Sequence, residues 1–178
     1  MRIAEHLYLR GFTTYPRTES TTFSANFNFK EVLMQLKDHE LFGEYSTGLI
    51  KNGFNKPKKG VDAGDHPPIT PVKLATADDL SEDELKIYEF IAGNFLACIS
   101  KDASYDLITM EALIGDEKFK MKGQVLVDEG FLEIQPWLKQ EDIEIPVYEI
   151  GDIIDVASIK VVEERTKAPN YLSEAELI

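Results

Sequence analysis

The chain has 178 residues, a net charge of −13 and one cysteine. With 43% hydrophobic and 29% charged residues, it has the composition of an ordinary globular protein with room for one solid core or two small ones. No apolar run is long enough to span a membrane and no signal-peptide pattern opens the chain, so we expect no membrane partner. The lack of zinc or disulfide spacing indicates a reducing compartment, and Cys98 lies in an apolar helical pattern, so we expect it to be buried.

Charge is distributed unevenly along the chain. Residues 1–60 carry nine Lys or Arg and six Asp or Glu, a net of +3, whereas residues 61–102 carry −6 and residues 103–178 carry −10. Only the first of these segments is electrostatically suited to bind phosphate. The overall acidity therefore does not exclude a nucleic-acid-binding protein.

Helical patterns occupy the first hundred residues. Side chains recur at i, i+4 spacing over residues 2–10, and Gly11 is suited to end that helix. A second helical pattern covers residues 28–42, and a loop rich in Gly, Lys and Pro covers residues 53–71. The clearest helix is predicted over residues 79–100, where Ser81 and Glu84 form a capping-box pair ahead of an apolar stripe.

From about residue 103 the pattern changes to short β-rich runs. Strands are predicted at residues 105–114, 119–127, 131–134, 145–150 and 153–162, with turn signals between them. We therefore predict an α+β chain, with a helical unit up to about residue 102 and a β unit after it. Ser173 and Glu176 form a further capping-box pair just before the sequence stops, so we expect the chain to be a piece of something larger.

Residues 11–20 read Gly-Phe-Thr-Thr-Tyr-Pro-Arg-Thr-Glu-Ser and combine a phenol with a guanidinium. Arg binds phosphate through a planar fork, and a Tyr hydroxyl can act as a covalent nucleophile when its surroundings favour loss of the proton. Pro16 biases Tyr15 toward extended backbone, which places Tyr15 and Arg17 on one side, about 6.6 Å apart along the chain. The alternative is a Tyr at the edge of the core with Arg17 on a surface carboxylate. Nearby hydroxyls that suit phosphate oxygens, among them those of Thr18 and Ser20, favour the first interpretation.

Two further motifs lie in the long loop. His66 precedes two prolines in residues 62–71, so its ring is held in a stiff extended segment; it would contact phosphate or move a proton, or else it is a loop histidine bonded to Asp62 or Asp65. A basic patch at Lys56, Lys58 and Lys59 is either solvated surface or a contact to a nucleic-acid backbone.

Some kinds of site are not indicated. The acidic run at residues 78–84 has the composition of a metal site, but its place at a helix N-terminus accounts for it through the helix dipole, and we assign no metal there. The sequence has no phosphate-binding P-loop, so ATP hydrolysis is not suggested.

Residues 4–20 resemble the active-site motif of the type IA DNA topoisomerases. Residues 58–60, 63–71 and 169–178 resemble the eukaryotic topoisomerase III branch of that family, its beta type in particular. The resemblance covers essentially the whole chain. One small departure is the pair Phe12 and Thr13, where relatives more often have Tyr or Leu followed by Ile.

The resemblance implies roles for these residues. Tyr15 would attack a single-strand phosphodiester and form a 5′-phosphotyrosine link, Arg17 would hold the scissile phosphate, and His66 would assist. Passage of another strand through the break and resealing would relax negative supercoils. The fold implied is α+β and multidomain: a helical catalytic-tyrosine domain at residues 1–102, then a partial antiparallel β domain of the gate arch at residues 103–178, with a candidate hinge between them.

The resemblance also implies what the chain lacks. A Mg²⁺-binding acidic domain, with a lysine and a glutamate that assist proton transfer, would lie upstream, so this chain alone is expected to be inactive and to hold no metal. Single-stranded DNA, with RNA as an alternative, and the rest of the topoisomerase chain are the expected partners, and the nucleus is the expected location.

A second hypothesis is a non-catalytic module that grips single-stranded nucleic acid or a protein. The acidic second half of the chain supports it, because such a surface repels phosphate and suits contact with protein. Formation of a covalent adduct with a nucleic-acid strand would distinguish the two hypotheses.

Overall fold

The computed structural model describes residues 1–57 and 59–177 of the chain. Its helices and strands, in chain order, are α1 (Arg2–Leu9), α2 (Phe29–Leu36), α3 (Gly43–Asn52), α4 (Glu82–Ile99), β1 (Ser104–Ile114), β2 (Glu117–Asp128) and α5 (Glu174–Leu177), with short 3₁₀ helices at Gly130–Glu133 and Pro136–Leu138. The predicted mixed α+β character is confirmed. The chain separates into two compact units, Met1–Ile145 and Pro146–Ile178. The proposed division into domains at residues 102 and 103 stays a prediction.

Helix α1 ends where the sequence predicts, in a turn that sends the chain back along the helix. Gly11 has φ of +73°, a conformation that glycine adopts without steric cost. Its N–H donates to the Tyr8 carbonyl (2.8 Å), and the Phe12 N–H donates to the Leu7 carbonyl (2.9 Å). This pair of bonds is a Schellman motif. It buries Phe12 and aims the next residues along α1.

Helix α4 is the main core element of the first unit. The predicted capping box is present, since the Ser81 N–H donates to Glu84 Oε2 (2.9 Å). The rings of Phe23, Phe27 and Phe29 lie 6.0 to 6.4 Å from the buried ring of Phe95. Buried aromatic side chains of this size dominate core energetics. The aromatic cluster therefore ties the segment that follows residue 22 to α4.

The helix predicted over residues 28–42 is wrong in its extent. Helix α2 ends at Leu36, and a turn leads into α3, which the sequence did not predict. In that turn the ring nitrogen Nδ1 of buried His39 accepts the Leu41 N–H at 3.2 Å. Helix α3 was missed because its sequence contains two glycines, a serine and a threonine, which have low intrinsic helix propensity and are held helical by packing against α2.

The first two predicted strands are confirmed and the other three are wrong. Strands β1 and β2 pair antiparallel in register from Ser104↔Asp128 to Ile114↔Glu117. Residues 131–134 lie instead in and just after the 3₁₀ helix Gly130–Glu133, because the Phe131 N–H donates to the Lys101 carbonyl (2.9 Å) and turns the chain. Residues 145–150 and 153–162 carry β-branched residues, but neither run pairs with another strand in the described residues. Strand propensity without a partner does not make a sheet.

The second unit contains α5. The Ser173 N–H donates to Glu176 Oε2 at 2.8 Å, which is one of the two bonds of the capping box predicted there. No helix in the described part of the chain has the length and hydropathy needed to cross a bilayer.

Candidate functional site at Tyr15

Two segments that the sequence singled out lie side by side in the first unit. We call residues 12–21 the Tyr15 segment and residues 61–72 the His66 loop. At one end the Thr14 N–H donates to the Thr70 carbonyl (2.9 Å) and the Val72 N–H donates to the Phe12 carbonyl (2.8 Å). At the other end the Thr21 N–H donates to the Val61 carbonyl (2.8 Å). The two segments therefore run antiparallel, and residues about fifty positions apart share one surface.

Asp65 fastens the middle of this pair of segments. Its Oδ1 accepts the Ser20 hydroxyl (2.8 Å) and its Oδ2 accepts the Glu19 N–H (3.0 Å). Next to it, the Thr18 hydroxyl donates to the His66 carbonyl (2.6 Å). The hydrogen bond from the Glu19 N–H, followed by those from the His66 N–H and the Ser20 hydroxyl, holds the pKa of Asp65 far below its usual range. The Asp65 carboxylate thus stays ionised and holds Glu19, Ser20 and His66 in fixed positions relative to Asp65.

Replacing Asp65 by Asn is expected to lower the melting temperature of the chain at pH 7. The substitution removes one of the two oxygen acceptors and the negative charge that strengthens their hydrogen bonds. A group whose pKa is depressed in the folded state contributes stability fully above its unfolded pKa of about 4, and loses it as the pH falls further. The difference in melting temperature between wild type and Asp65→Asn should therefore be constant above about pH 5 and shrink below about pH 4. Asp62→Asn is the matched control, since Asp62 Oδ1 accepts one N–H, that of Gly64. A difference that grows on acidification would contradict this role of Asp65.

Tyr15 lies at the edge of the core, and its side chain is half-buried. Its ring meets that of Tyr8 edge-on, with centroids 5.1 Å apart, and lies tilted against that of His66 at 4.7 Å. Pro16, next in the chain, is buried and fixes the backbone there. The ring is thus held from two sides, while His66 itself is exposed.

Arg17 is held from α1. Its Nη2 donates to Glu5 Oε1 at 2.9 Å, and 61% of its side chain remains exposed. Glu5 and Tyr8 are three residues apart on α1 and therefore lie on the same helix face. That one face contacts both Tyr15 and Arg17.

The other predicted contact residues fall into three groups. Lys56 and Lys59 are exposed, and Lys58 lies outside the described residues. The Thr18 hydroxyl is bonded within the site, and Ser20 is 5% exposed with its hydroxyl engaged by Asp65 and by the Ala63 N–H. The structure gives Ser20 a structural part in the site. Contact of any of these residues with nucleic acid stays a prediction.

Sequence reasoning assigned no role to Glu5 or Tyr8, and it considered Asp65 only as a bonding partner of His66. For Glu5 and Tyr8 the available signal was their i, i+3 spacing on a helix that a glycine turn folds back. For Asp65 the signal was its place beside His66. Two cations that were also passed over flank the start of the Tyr15 segment: Lys73 Nζ lies 3.9 Å and the Arg10 guanidinium 5.1 Å from the centre of the Phe12 ring. They add positive charge close to the site.

The acidic run at residues 78–84 spans the start of α4 and is used within the fold. Glu84 accepts the Ser81 N–H and also pairs with His6 Nδ1 at 2.5 Å. The pKa of Glu84 is lowered to about 2, mainly by its hydrogen bonds from Ser81. The Arg10 guanidinium donates to the Asp79 carbonyl (2.6 Å). Across residues 1–57 and 59–177, the structure has no group of three or more His, Cys, Asp or Glu side chains that could hold a metal ion.

The prediction that Cys98 is buried is wrong. It is exposed, because it lies on the face of α4 that borders a cavity of about 310 Å³ rather than on the face that meets the core. Thr18, Ser20 and Phe95 also line this cavity. Neighbouring atoms still desolvate the thiol enough to raise its pKa.

Comparison with known proteins bears on all of these residues. The family model of DNA topoisomerase matches residues 1–178. DNA topoisomerase 3-beta of Oryza sativa subsp. japonica is 41% identical over 178 residues, and DNA topoisomerase 3-beta-1 of Mus musculus is 42% identical over 179; each alignment covers 100% of this chain and 21% of the relative. DNA topoisomerase 3-alpha of Homo sapiens is 35% identical, with 100% of this chain and 18% of the relative covered. The chain spans about a fifth of the length of these relatives. It therefore belongs to the DNA topoisomerase family, in the type IA class, and is similar over its whole length to topoisomerase 3-beta.

Proposed function

We propose that this chain supplies the nucleophile of a type IA DNA topoisomerase that cuts and rejoins one DNA strand through a 5′-phosphotyrosine link at Tyr15. The observation that carries the proposal is the match of the DNA topoisomerase family model to residues 1–178, which include Tyr15 and Arg17. The arrangement at α1, where one helix face contacts the Tyr15 ring and holds Arg17 with most of its side chain exposed, supports the same function by leaving the guanidinium accessible to a strand. Relaxation of negative supercoils follows when a second strand passes through the break.

In the proposed reaction the Tyr15 hydroxyl oxygen attacks the phosphorus of a single-strand phosphodiester. A bond forms between that oxygen and phosphorus, the bond from phosphorus to the 3′ oxygen breaks, and the proton of the phenol ends on the released 3′-hydroxyl by way of intervening groups. Rejoining is the reverse displacement. One ester bond replaces another, so the step needs no ATP.

Arg17 and His66 have distinct parts in this reaction. The guanidinium of Arg17 binds the non-bridging oxygens of the scissile phosphate and offsets charge that develops in the transition state. His66, whose ring lies tilted against that of Tyr15, relays the phenol proton. The exposed Lys56 and Lys59 attract the strand backbone, and the Thr18 hydroxyl, which donates to the His66 carbonyl in the absence of a strand, donates to phosphate when a strand binds.

Magnesium is part of the proposal for the complete enzyme only. The described residues include no group of three or more His, Cys, Asp or Glu side chains that could hold a metal ion, so we propose that the ligands of the ion lie elsewhere in the enzyme. Single-stranded DNA and the rest of the topoisomerase chain are the proposed partners, and the nucleus is the proposed location. RNA is the alternative substrate.

A chimera tests this function. The region of the Mus musculus relative that aligns with this chain is replaced by the 178 residues of this chain, all of which are covered by the alignment. With Mg²⁺ and a 3′-labelled single-stranded oligonucleotide, the chimera is expected to form a denaturation-resistant adduct, and mass spectrometry should find the nucleotide on the peptide that contains Tyr15. An adduct on another residue, or a folded chimera without an adduct, would contradict the proposal.

The isolated chain gives a second readout. We expect it to bind a single-stranded oligonucleotide with salt-dependent affinity and to leave supercoiled plasmid unchanged, whereas the chimera relaxes the plasmid. Binding without an adduct in the chimera would instead support the non-catalytic module.

A further inference from the structure

The contact between Glu5 and Arg17 places a carboxylate on the side chain proposed to bind phosphate. Arg17 Nη2 donates to Glu5 Oε1 at 2.9 Å. A guanidinium has five N–H donors in a fixed plane, and this bond uses one of them. The geometry is compatible with Glu5 holding one corner of the guanidinium while the remaining donors stay available to a phosphate.

Glu5 lies on a helix that is itself anchored to the core of the unit. His6 pairs with Glu84 at 2.5 Å, and Arg10 donates to the Asp79 carbonyl at 2.6 Å. Both bonds fix α1 against the start of α4, and Leu7, between them on α1, is fully buried. A carboxylate on such a helix holds its partner in a more defined position than one on a mobile surface segment does.

We propose that Glu5 is a positioning residue for strand cleavage, which orients the Arg17 guanidinium toward the scissile phosphate while its own charge weakens binding of the strand. This inference rests on the proposed function. The alternative is that Glu5 and Arg17 form an exposed ion pair with no measurable effect on strand binding or cleavage. The inference differs from it because it predicts that loss of Glu5 tightens binding of the strand and slows cleavage. The Glu5 carboxylate repels the phosphate that Arg17 binds and so weakens binding of the strand. Without Glu5 the guanidinium is less ordered, and the entropy lost when it is fixed in the transition state lowers the rate of cleavage.

Two substitutions separate the charge of Glu5 from its hydrogen bond. Glu5→Gln keeps an oxygen acceptor at Oε1 and removes the charge, whereas Glu5→Ala removes both. In the chimera with saturating oligonucleotide, Glu5→Ala is expected to slow adduct formation by about 10- to 100-fold, and Glu5→Gln by about 3-fold or less. Both are expected to tighten binding of the oligonucleotide by about 2- to 5-fold, measured by fluorescence anisotropy in a Tyr15→Phe background so that no cleavage occurs.

Glu44→Gln is the matched control for charge. Glu44 is exposed on α3 and forms no ion pair with a described residue, so its substitution should leave both the rate and the dissociation constant unchanged. If the melting temperature of Glu5→Ala lies far below that of wild type, the test rests on Glu5→Gln alone. The inference then requires that Glu5→Gln binds the oligonucleotide more tightly and forms the adduct at a rate within about 3-fold of wild type.

Several outcomes would overturn the inference. They are an unchanged rate in Glu5→Ala, weaker binding in Glu5→Gln, and an equal effect of Glu44→Gln. These results are separable from a failure of the proposed function itself, because that failure appears as a wild-type chimera that is folded and forms no adduct.

Discussion

Tyr15→Phe in the chimera is expected to abolish the covalent adduct, with a reduction of at least about 1000-fold in its rate of formation. The substitution removes the single oxygen that would bond to phosphorus. It keeps the aromatic ring that packs against Tyr8 at 5.1 Å and against His66 at 4.7 Å, so the site should keep its shape. Oligonucleotide affinity should therefore stay within about 3-fold of wild type, since phosphate contacts rather than the phenol govern it.

The adjacent ring supplies the control for this experiment. Tyr8→Phe removes the same kind of hydroxyl from the ring that meets Tyr15 edge-on, and it should leave adduct formation within about 3-fold of wild type. Rates are measured by quenching the reaction in denaturant and separating the labelled adduct on a gel. An adduct that persists in Tyr15→Phe, or one that disappears in Tyr8→Phe, would show that the nucleophile is wrongly assigned.

Sequence patterns predicted the elements in which local and tertiary preferences agree. Helix α4 has both a capping box and an apolar stripe, and β1 and β2 are joined by a short turn in which Gly115 has a positive φ. Helix α3 was not predicted because its glycines disfavour a helix, which tertiary packing nevertheless stabilises. The strands predicted at residues 145–150 and 153–162 are wrong for the opposite reason, since their β-branched residues favour strands but no described strand pairs with them.

The candidate site was predicted as separate motifs rather than as an arrangement. The sequence named Tyr15, Arg17 and His66 from residue types and spacing, and their catalytic roles stay predictions. It could not show that Asp65 bonds Ser20, because that contact joins residues 45 positions apart. Nor could it show that Glu5 bonds Arg17, since this depends on the direction in which the chain leaves Gly11. Contacts set by a turn and by pairing of two loops are invisible to periodicity.

Gly60→Ala is expected to open the far end of the paired segments and to cost about 2–5 kcal/mol of stability. Gly60 has φ of +122°, a conformation that alanine does not adopt without strain. A Cβ there would also lie 2.6 Å from the Thr21 carbonyl oxygen and 2.9 Å from Thr22 Cβ. The backbone must move away, which breaks the bond of 2.8 Å between the Thr21 N–H and the Val61 carbonyl. Urea unfolding of the chain and adduct formation by the chimera measure the two consequences.

Gly64→Ala separates backbone strain from steric contact, because the two glycines share one feature and differ in the other. Gly64 also has a positive φ, +73°, but a Cβ at that position meets no heavy atom within 4 Å. Its substitution should cost about 1–2 kcal/mol, the strain of a left-handed residue alone. Adduct formation should then fall further in Gly60→Ala than its unfolded fraction accounts for, since the Tyr15 segment loses its support at Thr21 while the rest of the unit stays folded. Equal losses of stability in the two variants would mean that the chain does not approach Gly60 closely. An unchanged rate in a destabilised Gly60→Ala would mean that cleavage does not depend on the pairing of the Tyr15 segment with the His66 loop.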